Sequence, residues 1–517
     1  MAVVNAAQAA IKTVADPNAA YESLVPLWNK CRAVCSGERF VKDLDSAVGV
    51  GNMLIPFSPS MSQAQYNFYK SEAELPGIVS QFARMLVGGL LRKQPTLSLP
   101  DGFPEEGYDW IMNEFGQDGS SLSSVLDVAL WEEMQTSRAW IFVDYPAVDG
   151  EQLPEDRKKT KPYPVIRNAD TIINWQVDKN SVGGSVLTKV LVKGAVERYE
   201  KNEFHPTFHD CVYVHELDEN GLYRVRVYER ESPVTEVTII SGQRVENTKS
   251  QQLEYKLVEI RDNILVNGER INFIPAWPLN GRIEASEPML MPVIDKELTL
   301  YNKLSRRNHL LYGASTYTPV ISGDMTDEQF DDIVDAGLGS WLRLPQGCTA
   351  TVLETPTAAL ADMDRAIAAS IEEMAKMGIR MLSPESAQSG IALQIRNAAQ
   401  TAQLGTLNTK VSNTLRQVIM FMLNWHYDTD LELKDISFEM SSDFSPMQAG
   451  PDWLRLATEW YQASLIPRSV WLILLKQNDI LPPDYNDEAG RQEITEDMED
   501  SMRAQGSDNF ATELEGN

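Results

Sequence analysis

The sequence predicts an α+β fold, in which helical regions at both ends of the chain flank a region of strands. Two observations support this fold class. Apolar residues recur every three or four positions in most of the first 145 residues and again beyond residue 288, as in helices that bury one face. Between residues 165 and 275 the pattern changes to short β-branched and aromatic runs interrupted by Gly, Asn and Asp, which predicts antiparallel strands.

The N-terminal part is predicted to contain two well-defined helices and a buried strand. The first helix lies between Ser71 and Arg92, where apolar residues fall on one face, and Pro95 stops it. The second spans Ser121–Gln135. The apolar run Ala139–Pro146 follows as a short buried strand, and a polar, proline-containing surface loop occupies residues 147–165.

Three long helices dominate the C-terminal half. They are predicted at residues 288–313, 358–381 and 391–425. A compact insertion with strands and an acidic helix separates the first from the second, and the polar joint SPESAQSG separates the second from the third. A strand is predicted at Leu431–Met440 and further helices at 447–478. The acidic tail beyond Met502 is predicted to be disordered.

The charge balance limits the classes of function. The 517 residues include 74 acids against 46 Lys and Arg, a formal net charge of -28. Such a surface repels nucleic acid, so a DNA-binding protein that depends on a basic face is not expected. The four cysteines are too few and too scattered for a disulfide framework, which favours a reducing compartment. The N-terminus lacks the pattern of a signal peptide, and no apolar run reaches transmembrane length.

One cluster of metal-ligand residue types occurs in the predicted β region. The run HPTFHDCVYVH contains His205, His209, Cys211 and His215, and the last three would share one face of a strand. Imidazole and thiolate suit Zn²⁺, but the spacing matches no standard zinc motif. Two interpretations stay open: a hydrolase or metal-dependent enzyme with a site near His205–His215, or polar residues on an exposed strand.

An acidic run in the insertion is expected to be an interaction face. Its five residues are spaced so that most fall on one side of a helix. They are Asp327, Glu328, Asp331, Asp332 and Asp335. A general acid needs a buried environment that raises its pKa, whereas a run of like charges is normally solvated. With no nucleotide-binding glycine motif and no catalytic triad pattern either, we expect no catalytic residue, no metal, no cofactor and no enzymatic activity.

The order of elements and three short motifs resemble the portal proteins of tailed bacteriophages. The motifs are YNFYKSEAELPGIVSQFARMLVGGLLRKQPTLSLP at Tyr66–Pro100, VDYP at Val143–Pro146 and IINW at Ile172–Trp175. The resemblance covers about residues 20 to 480. One departure is EPMLMPVIDKELTLYNKLSRRN, which fits the family's pattern loosely and leaves the start of the first long helix uncertain.

The resemblance implies a ring, usually dodecameric, at the capsid vertex through which double-stranded DNA is packaged and ejected. It divides the subunit into a mixed wing, a helical stem, an α/β clip and a helical crown. The implied regions are wing 1–285 with its β-rich part at 165–275, stem helix 286–313, clip 314–356, stem helix 357–381, tunnel loop 382–390, long helix and returning wing strand 391–446, crown 447–500 and acidic tail 501–517. The two stem helices enter and leave the clip, so they should be antiparallel neighbours.

The resemblance also implies functional residues and partners. The tunnel loop and its flanking cations would line the DNA channel: Ser383, Glu385, Ser386, Gln388, Ser389, Lys376, Arg380 and Arg396. The acidic run in the clip would dock the terminase large subunit and later a head-tail adaptor. Further implied partners are other copies of the chain, the major capsid protein and scaffolding proteins, with no membrane. The implied location is the virion, after assembly in the host cytoplasm. A different ring-forming scaffold protein stays as an alternative.

Overall fold

The computed structural model describes most of the chain in ranges separated by gaps, and for some of these residues it describes the backbone alone. The described ranges are 13–44, 53–146, 160–179, 184–198, 204, 207–230, 235–240, 243–248, 254–262, 264–315, 318–335, 344, 346–353, 358–377, 390–442, 451–463, 465–477, 480–481 and 490. The chain divides into two compact units, Met1–Ser442 and Asp443–Asn517. Helices combine with antiparallel sheets, so the α+β class is confirmed.

Helices occupy most of the described N-terminal part. They are α1 (Ala19–Ser36), α2 (Glu38–Leu44), α3 (Gln63–Glu72), α4 (Ile78–Leu90), α5 (Glu105–Asn113) and α6 (Leu122–Thr136). Local capping explains several of their starts. The side chain of Asn18 accepts a hydrogen bond from the N–H of Ala20 at 2.9 Å at the start of α1. Ser62 and Gln65 form a reciprocal capping box at the start of α3.

The helix predicted between Ser71 and Arg92 is wrong in its start. Helix α3 ends at Glu72, and α4 begins only at Ile78. Pro76 accounts for the break, because it disfavours helical backbone in the residue before it. Gly77 then adopts φ 70, a left-handed conformation that glycine tolerates without strain. The second predicted helix, Ser121–Gln135, is confirmed as α6.

The strands of the first unit follow α4 and α6. They are β1 (Thr96–Ser98), β2 (Trp140–Asp144), β3 (Tyr163–Arg167), β4 (Ile172–Lys179), β5 (Ser185–Arg198), β6 (Thr207–Leu217), β7 (Tyr223–Arg230), β8 (Thr235–Ile240), β9 (Gln243–Thr248), β10 (Tyr255–Arg261), β11 (Leu265–Val266), β12 (Glu269–Arg270) and β13 (Ala276–Pro278). Within the described residues the largest sheet has the order β10-β7-β6-β5-β4, and β2 pairs with β13 and β3. All these pairings are antiparallel.

The large sheet contains a buried carboxylate surrounded by cations. Glu216 on β6 lies opposite Lys189 on β5 and Arg224 on β7. Its carboxylate accepts hydrogen bonds from Arg224 and Arg226, both at 2.8 Å, and the Lys189 Nζ lies 3.2 Å away. Burial alone would raise the pKa of Glu216, but the bonds from Arg226 and Arg224 outweigh it and lower the pKa. The carboxylate therefore holds three neighbouring strands together as an anion.

The C-terminal elements follow β13. They are α7 (Met291–Ser315), β14 (Thr318–Ser322), α8 (Asp327–Asp335), β15 (Thr349–Leu353), α9 (Ala358–Lys376), α10 (Gly390–Tyr427), β16 (Ser437–Glu439), α11 (Pro451–Gln462) and α12 (Arg468–Gln477). The last two helices belong to the second unit. The three predicted long helices are confirmed as α7, α9 and α10, except that residues 378–381 of the second prediction lie outside the described residues. No described helix is both long and apolar enough to span a bilayer.

The strand predicted at Leu431–Met440 is much shorter in the structure. Only Ser437–Glu439 is a strand, and it pairs with β1. The preceding residues form a turn after α10, in which Asp428 adopts φ 50. The side chain of Asn424 accepts the N–H of Leu431 at 2.8 Å and donates to its carbonyl at 2.9 Å. These bonds use the backbone groups that a longer strand would have paired.

Helix α10 supplies much of the core of the first unit. It has 38 residues, so at 1.5 Å per residue it is roughly 57 Å long. Apolar residues of its second half are fully buried, among them Val411, Leu415, Val418 and Met422. They pack towards α4, β2 and β13. The C-terminal part of α10 is therefore fixed in the body of the unit.

A second buried carboxyl group fixes the segment that leads into α7. Glu133, near the end of α6, is almost completely buried. It accepts hydrogen bonds from the N–H of Ala139 at 2.9 Å and from the side-chain amide of Asn280 at 2.8 Å. The same amide donates to the carbonyl of Ser137 at 2.8 Å. Burial raises the pKa of Glu133 from 4.5 to about 7. The two hydrogen bonds and the charge of Lys410 oppose this rise, and the neighbouring Glu132 adds to it.

The raised pKa of Glu133 predicts a pH-dependent stability. Between pH 4.5 and about 7 the folded chain keeps a proton that the unfolded chain has released, so the stability from Glu133 is lost as pH rises through this window. Compared with a Glu133→Gln variant, the wild type should lose ~3 kcal/mol of unfolding free energy across that range. Urea unfolding of both proteins at several pH values measures this, and parallel profiles would contradict it.

Candidate functional site

Helices α7 and α9 form an antiparallel pair, as expected for helices that enter and leave an insertion. The Lys296 Nζ lies 2.7 Å from the Glu373 carboxylate, and the Lys303 Nζ donates to the Ser370 hydroxyl at 2.6 Å. Arg307 pairs with Asp364 further along. Because the residue numbers rise along α7 while those of the partners fall along α9, the two helices run in opposite directions. These exposed polar contacts set the register more than they add stability.

Among the described side chains of helix α9, the buried ones lie along one side. Its buried side chains are Ile367, Ser370 and Met374, spaced at three and four residues and so on one face. Most of its other described side chains are exposed, including Ile371. A helix with so narrow a buried face gains little stability from its own chain. Its other described side chains are mostly exposed in the single chain.

The first half of α7 is anchored in the body of the first unit. Met291, Ile294 and Tyr301 are buried, and α7 packs against α1, α3 and α4. Glu297, on the same helix, is fully buried, and its carboxylate accepts the N–H groups of Ile78 and Val79, both at 2.8 Å. These N–H groups belong to the first turn of α4, where a carboxylate also meets the positive end of the helix dipole. Burial raises the pKa of Glu297 in spite of these bonds.

The insertion between α7 and α9 is a small α/β unit. Strands β14 and β15 pair antiparallel from Thr318 opposite Leu353 to Ser322 opposite Thr349. Gly323 follows at φ 142, and a Cβ there would lie 2.7 Å from the Cα of Cys348, so the turn requires glycine. The next helix, α8, begins with a reciprocal cap between Thr326 and Gln329.

The acidic residues predicted for docking lie on α8. The side chains of Asp327, Glu328 and Asp331 are exposed. Asp332 and Asp335 belong to the same helix, but only their backbone is described. Phe330, between these acids, is 48% exposed. Sequence reasoning missed it as a surface residue, although a large aromatic within an acidic run is a signal for an apolar contact surrounded by charge.

The predicted tunnel loop lies outside the described residues. This applies to Ser383, Glu385, Ser386, Gln388, Ser389 and Arg380. Lys376 is the last residue of α9 and Arg396 lies in the first turns of α10, and only their backbone is described. Helix α9 ends before the joint in the sequence, and α10 begins after it. The assignment of these residues to a DNA channel stays a prediction.

The described histidines of β6 do not form a metal site. The Nδ1 of His209 lies 3.3 Å from Glu229, whereas the Nδ1 of His215 shares a hydrogen bond with the hydroxyl of Tyr223 at 2.7 Å. Six residues separate the two, roughly 20 Å along a strand. Burial lowers the pKa of His215 to about 3, so this half-buried ring is neutral near pH 7. Among the described residues no group of three or more His, Cys, Asp or Glu could hold a metal, and His205 lies outside them.

The comparison with protein families matches part of the chain. A family described as "Domain of unknown function (DUF4055)" matches residues 290–426. This range runs from the start of α7 through the insertion and α9 almost to the end of α10, so it coincides with the helix pair, its insertion and the long core helix. No curated protein matches the chain.

Three solved structures similar to this chain come from gene transfer agent particles. The chain is 10% identical to a chain in "Virion of native gene transfer agent (GTA) particle", with a TM-score of 0.37 over 84% of this chain and 98% of that one. A chain in "Neck of empty GTA particle computed with C6 symmetry" is 12% identical, with a TM-score of 0.35 over 79% of this chain and 92% of that one. A chain in "Neck of native GTA particle computed with C12 symmetry" is 9% identical, with a TM-score of 0.33 over 81% of this chain and 95% of that one.

Proposed function

We propose that this chain is the subunit of a phage portal ring, through which double-stranded DNA enters and leaves a capsid. The observation that carries the proposal is the antiparallel pair of α7 and α9, which holds a small α/β unit at its end. The buried residues among the described side chains of α9 lie along one side of that helix. The portal-like motifs of the sequence and the implied order of stem, clip, stem and long helix agree with this arrangement.

Side-by-side packing of helix pairs from neighbouring subunits would explain why so many described side chains of α9 are exposed in the single chain. Copies arranged around an axis would cover the exposed side of each α9 with the neighbouring subunit. A head-to-tail contact of this kind closes into a ring when the rotation between subunits is a simple fraction of a full turn. The central space between the helix pairs would then be the channel.

The charge of the chain suits a conduit better than a binding site for DNA. A net charge of -28 per subunit, repeated around a ring, gives a channel that repels the phosphate backbone. Each phosphate contact would add affinity by releasing counterions, and many such contacts would slow the passage of DNA. The cations proposed beside the joint, Lys376, Arg380 and Arg396, would guide the backbone without holding it.

The proposed partners follow from the same arrangement. The exposed acids of α8 would dock the terminase large subunit during packaging and a head-tail adaptor afterwards, with Phe330 at the centre of the contact. Energy for packaging would come from a separate ATPase, so the chain itself would be structural rather than enzymatic. Its place would be the portal vertex of the virion, next to the major capsid and scaffolding proteins.

Mass photometry of the purified full-length chain tests the proposal. We expect a discrete species whose mass is a large multiple of the 58.0 kDa subunit, in a range of salt concentrations. A salt series matters because like-charged subunits repel at low ionic strength, and screening weakens this repulsion. Monomers alone at every protein and salt concentration would contradict the proposal.

A further inference from the structure

Strands β8 and β9 form a hairpin that continues the β7–β10 pair beyond the large sheet. The ladder between β7 and β10 ends at the pair of Arg230 and Tyr255, and the ladder between β8 and β9 begins at the pair of Thr235 and Thr248. Four residues lead from β7 into β8, and six lead from β9 into β10. Among the described strands, β8 and β9 pair only with each other. The two strands are here called the β-arm.

The β-arm is too small to be stable by itself. Each of its strands has six residues, so the hairpin is roughly 20 Å long. A lone two-stranded hairpin is only marginally stable in water and needs a third strand or a packed helix. Seven of the twelve residues in TEVTII and QRVENT are β-branched, a composition that favours strands inside a sheet. The β-arm therefore has the composition of a sheet strand, and the described part of the chain pairs no third strand with it.

Strand β10 has an open edge to which another strand can be added. It pairs with β7 on one side and with no described strand on the other. Its Leu257, Val258 and Ile260 side chains are between 46% and 54% exposed. At the opposite edge of the sheet, the carbonyl of Ile173 is already covered, because it accepts the N–H of Asn18 at 2.8 Å. Backbone groups on an open edge are a template for a further strand, and apolar side chains beside them would be covered by it.

The end of the sheet at which the β-arm begins carries two further exposed aromatic residues. Strand β6 starts at this end, because its Cys211 lies opposite Glu229 near the end of β7. Phe204, just before β6, is 96% exposed, and Phe208 on β6 is 68% exposed. Large apolar side chains that are exposed close together mark a surface that meets another molecule. We therefore expect another molecule to cover this end of the sheet.

The β-arm and β10 carry opposite net charge. The strands of the β-arm contain two acids and one base, whereas β10 contains two bases and one acid. On β10, Arg261 pairs with Glu259, which leaves the strand positive as a whole. Copies of a chain with a net charge of -28 repel one another over most of their surfaces. A positive edge strand instead attracts a negative hairpin, which favours a second copy as the partner.

We propose that the β-arm of one copy pairs with the open edge of β10 in the next copy and adds two strands to its sheet. The strands match in length, with six residues in each strand of the β-arm and seven in β10. The inference rests on the proposed ring, and it names the elements that join the subunits. Because the β-arm and the edge are different surfaces, the contact is head-to-tail. Such a contact propagates from copy to copy and can close into a ring, whereas contact between two identical surfaces would stop at a dimer.

Cysteine cross-linking between differently tagged copies tests the inference. Two variants of a Cys348→Ser chain are co-expressed, one with Ile239→Cys in the β-arm and the other with Ile260→Cys on β10. The remaining native cysteines are buried and should not react. A short bismaleimide should link the two tags to each other. The matched control replaces Ile260→Cys by Asp178→Cys, an exposed position on β4 at the opposite edge of the same sheet. Equal linking to both edges would overturn the inference.

A dilution experiment distinguishes pairing between copies from pairing within one copy. Ile239→Cys and Ile260→Cys are placed in the same Cys348→Ser chain, which is co-expressed with an excess of the Cys348→Ser chain without them. Linked dimers should fall as the excess rises, because most neighbours then lack a reactive cysteine. A link that forms inside single chains and does not change with dilution would overturn the inference.

Electron micrographs of the cross-linked samples separate this inference from the proposed function. Rings without the link between the β-arm and β10 would overturn the inference and leave the portal proposal intact. The link in open chains or dimers without rings would support the inference and contradict the portal proposal. Neither rings nor links would overturn both.

Hydrogen exchange in a chain without the β-arm gives a second readout. Residues 235–248 are replaced by a short Gly-Ser turn, which leaves the ladder between β7 and β10 in place, and thermal unfolding checks that the subunit still folds. In assembled particles, amides on the open edge of β10 should exchange roughly tenfold faster than in the wild type, as expected for the loss of a hydrogen bond. Amides of β5, in the middle of the sheet, should not change. A folded variant that no longer assembles would also support the inference, whereas unchanged exchange of β10 in assembled particles would contradict it.

Discussion

The Glu297→Ala variant is expected to lose about 4 kcal/mol of unfolding free energy, because two buried N–H groups each lose a charged acceptor. Glu297 is fully buried, and its carboxylate accepts Ile78 and Val79 at 2.8 Å. Water cannot replace the carboxylate without opening the contact between α7 and α4. Since α7 begins the proposed stem, the variant should also loosen the attachment of the helix pair to the body.

Two further variants make the Glu297 result specific. Asp295→Ala lies on the same helix and removes an exposed pair with Lys30, so it should cost no more than about 1 kcal/mol. Glu297→Gln keeps one acceptor oxygen and should fall between the two. Urea unfolding measures all three proteins. Equal stability of the Glu297→Ala and Asp295→Ala variants would show that the carboxylate does not hold α4.

The Glu216→Ala variant is expected to be destabilised by about 3–5 kcal/mol, the usual result of removing one partner from a buried ionic group. Its carboxylate is bonded to Arg224 and Arg226 and lies close to Lys189, on three neighbouring strands. Without it, three cations remain close together with no anion between them. The sheet β10-β7-β6-β5-β4 should then open first.

The matched control for Glu216 lies on the same strand. Asp210→Ala removes the exposed contact with Arg230, and we expect a change below about 1 kcal/mol. Hydrogen exchange shows where each variant opens: in Glu216→Ala the amides of β5, β6 and β7 should lose protection while those of α10 keep it. Unchanged protection in β6 would contradict the role given to Glu216.

The sequence predicted the long elements of this fold well and the contacts between them poorly. The apolar repeats of α7, α9 and α10 extend over many turns, so each helix could be recognised from its own residues. The break at Pro76 was missed because apolar spacing continues across it, and the strand at Leu431–Met440 was overestimated because the Asn424 side chain takes its hydrogen bonds. At each place a single residue, Pro76 or Asn424, determines the backbone conformation against the spacing of the apolar residues around it.

In the candidate site, too, the elements could be predicted but the contacts between them could not. The acidic helix α8 and the antiparallel helix pair could be predicted from local spacing and from the order of elements. The role of Glu297 could not, since its partners Ile78 and Val79 lie more than 200 residues earlier in the chain. The ring contact between Phe68 on α3 and Tyr312 on α7 was missed for the same reason.

Class-averaged electron micrographs of the purified chain are the most direct test of the proposed portal ring. We expect top views of closed rings with an open axial channel, and side views in which a narrow part formed by the helix pairs and insertions extends from a wider body. Fields of single subunits, or symmetric particles with no axial channel, would contradict it.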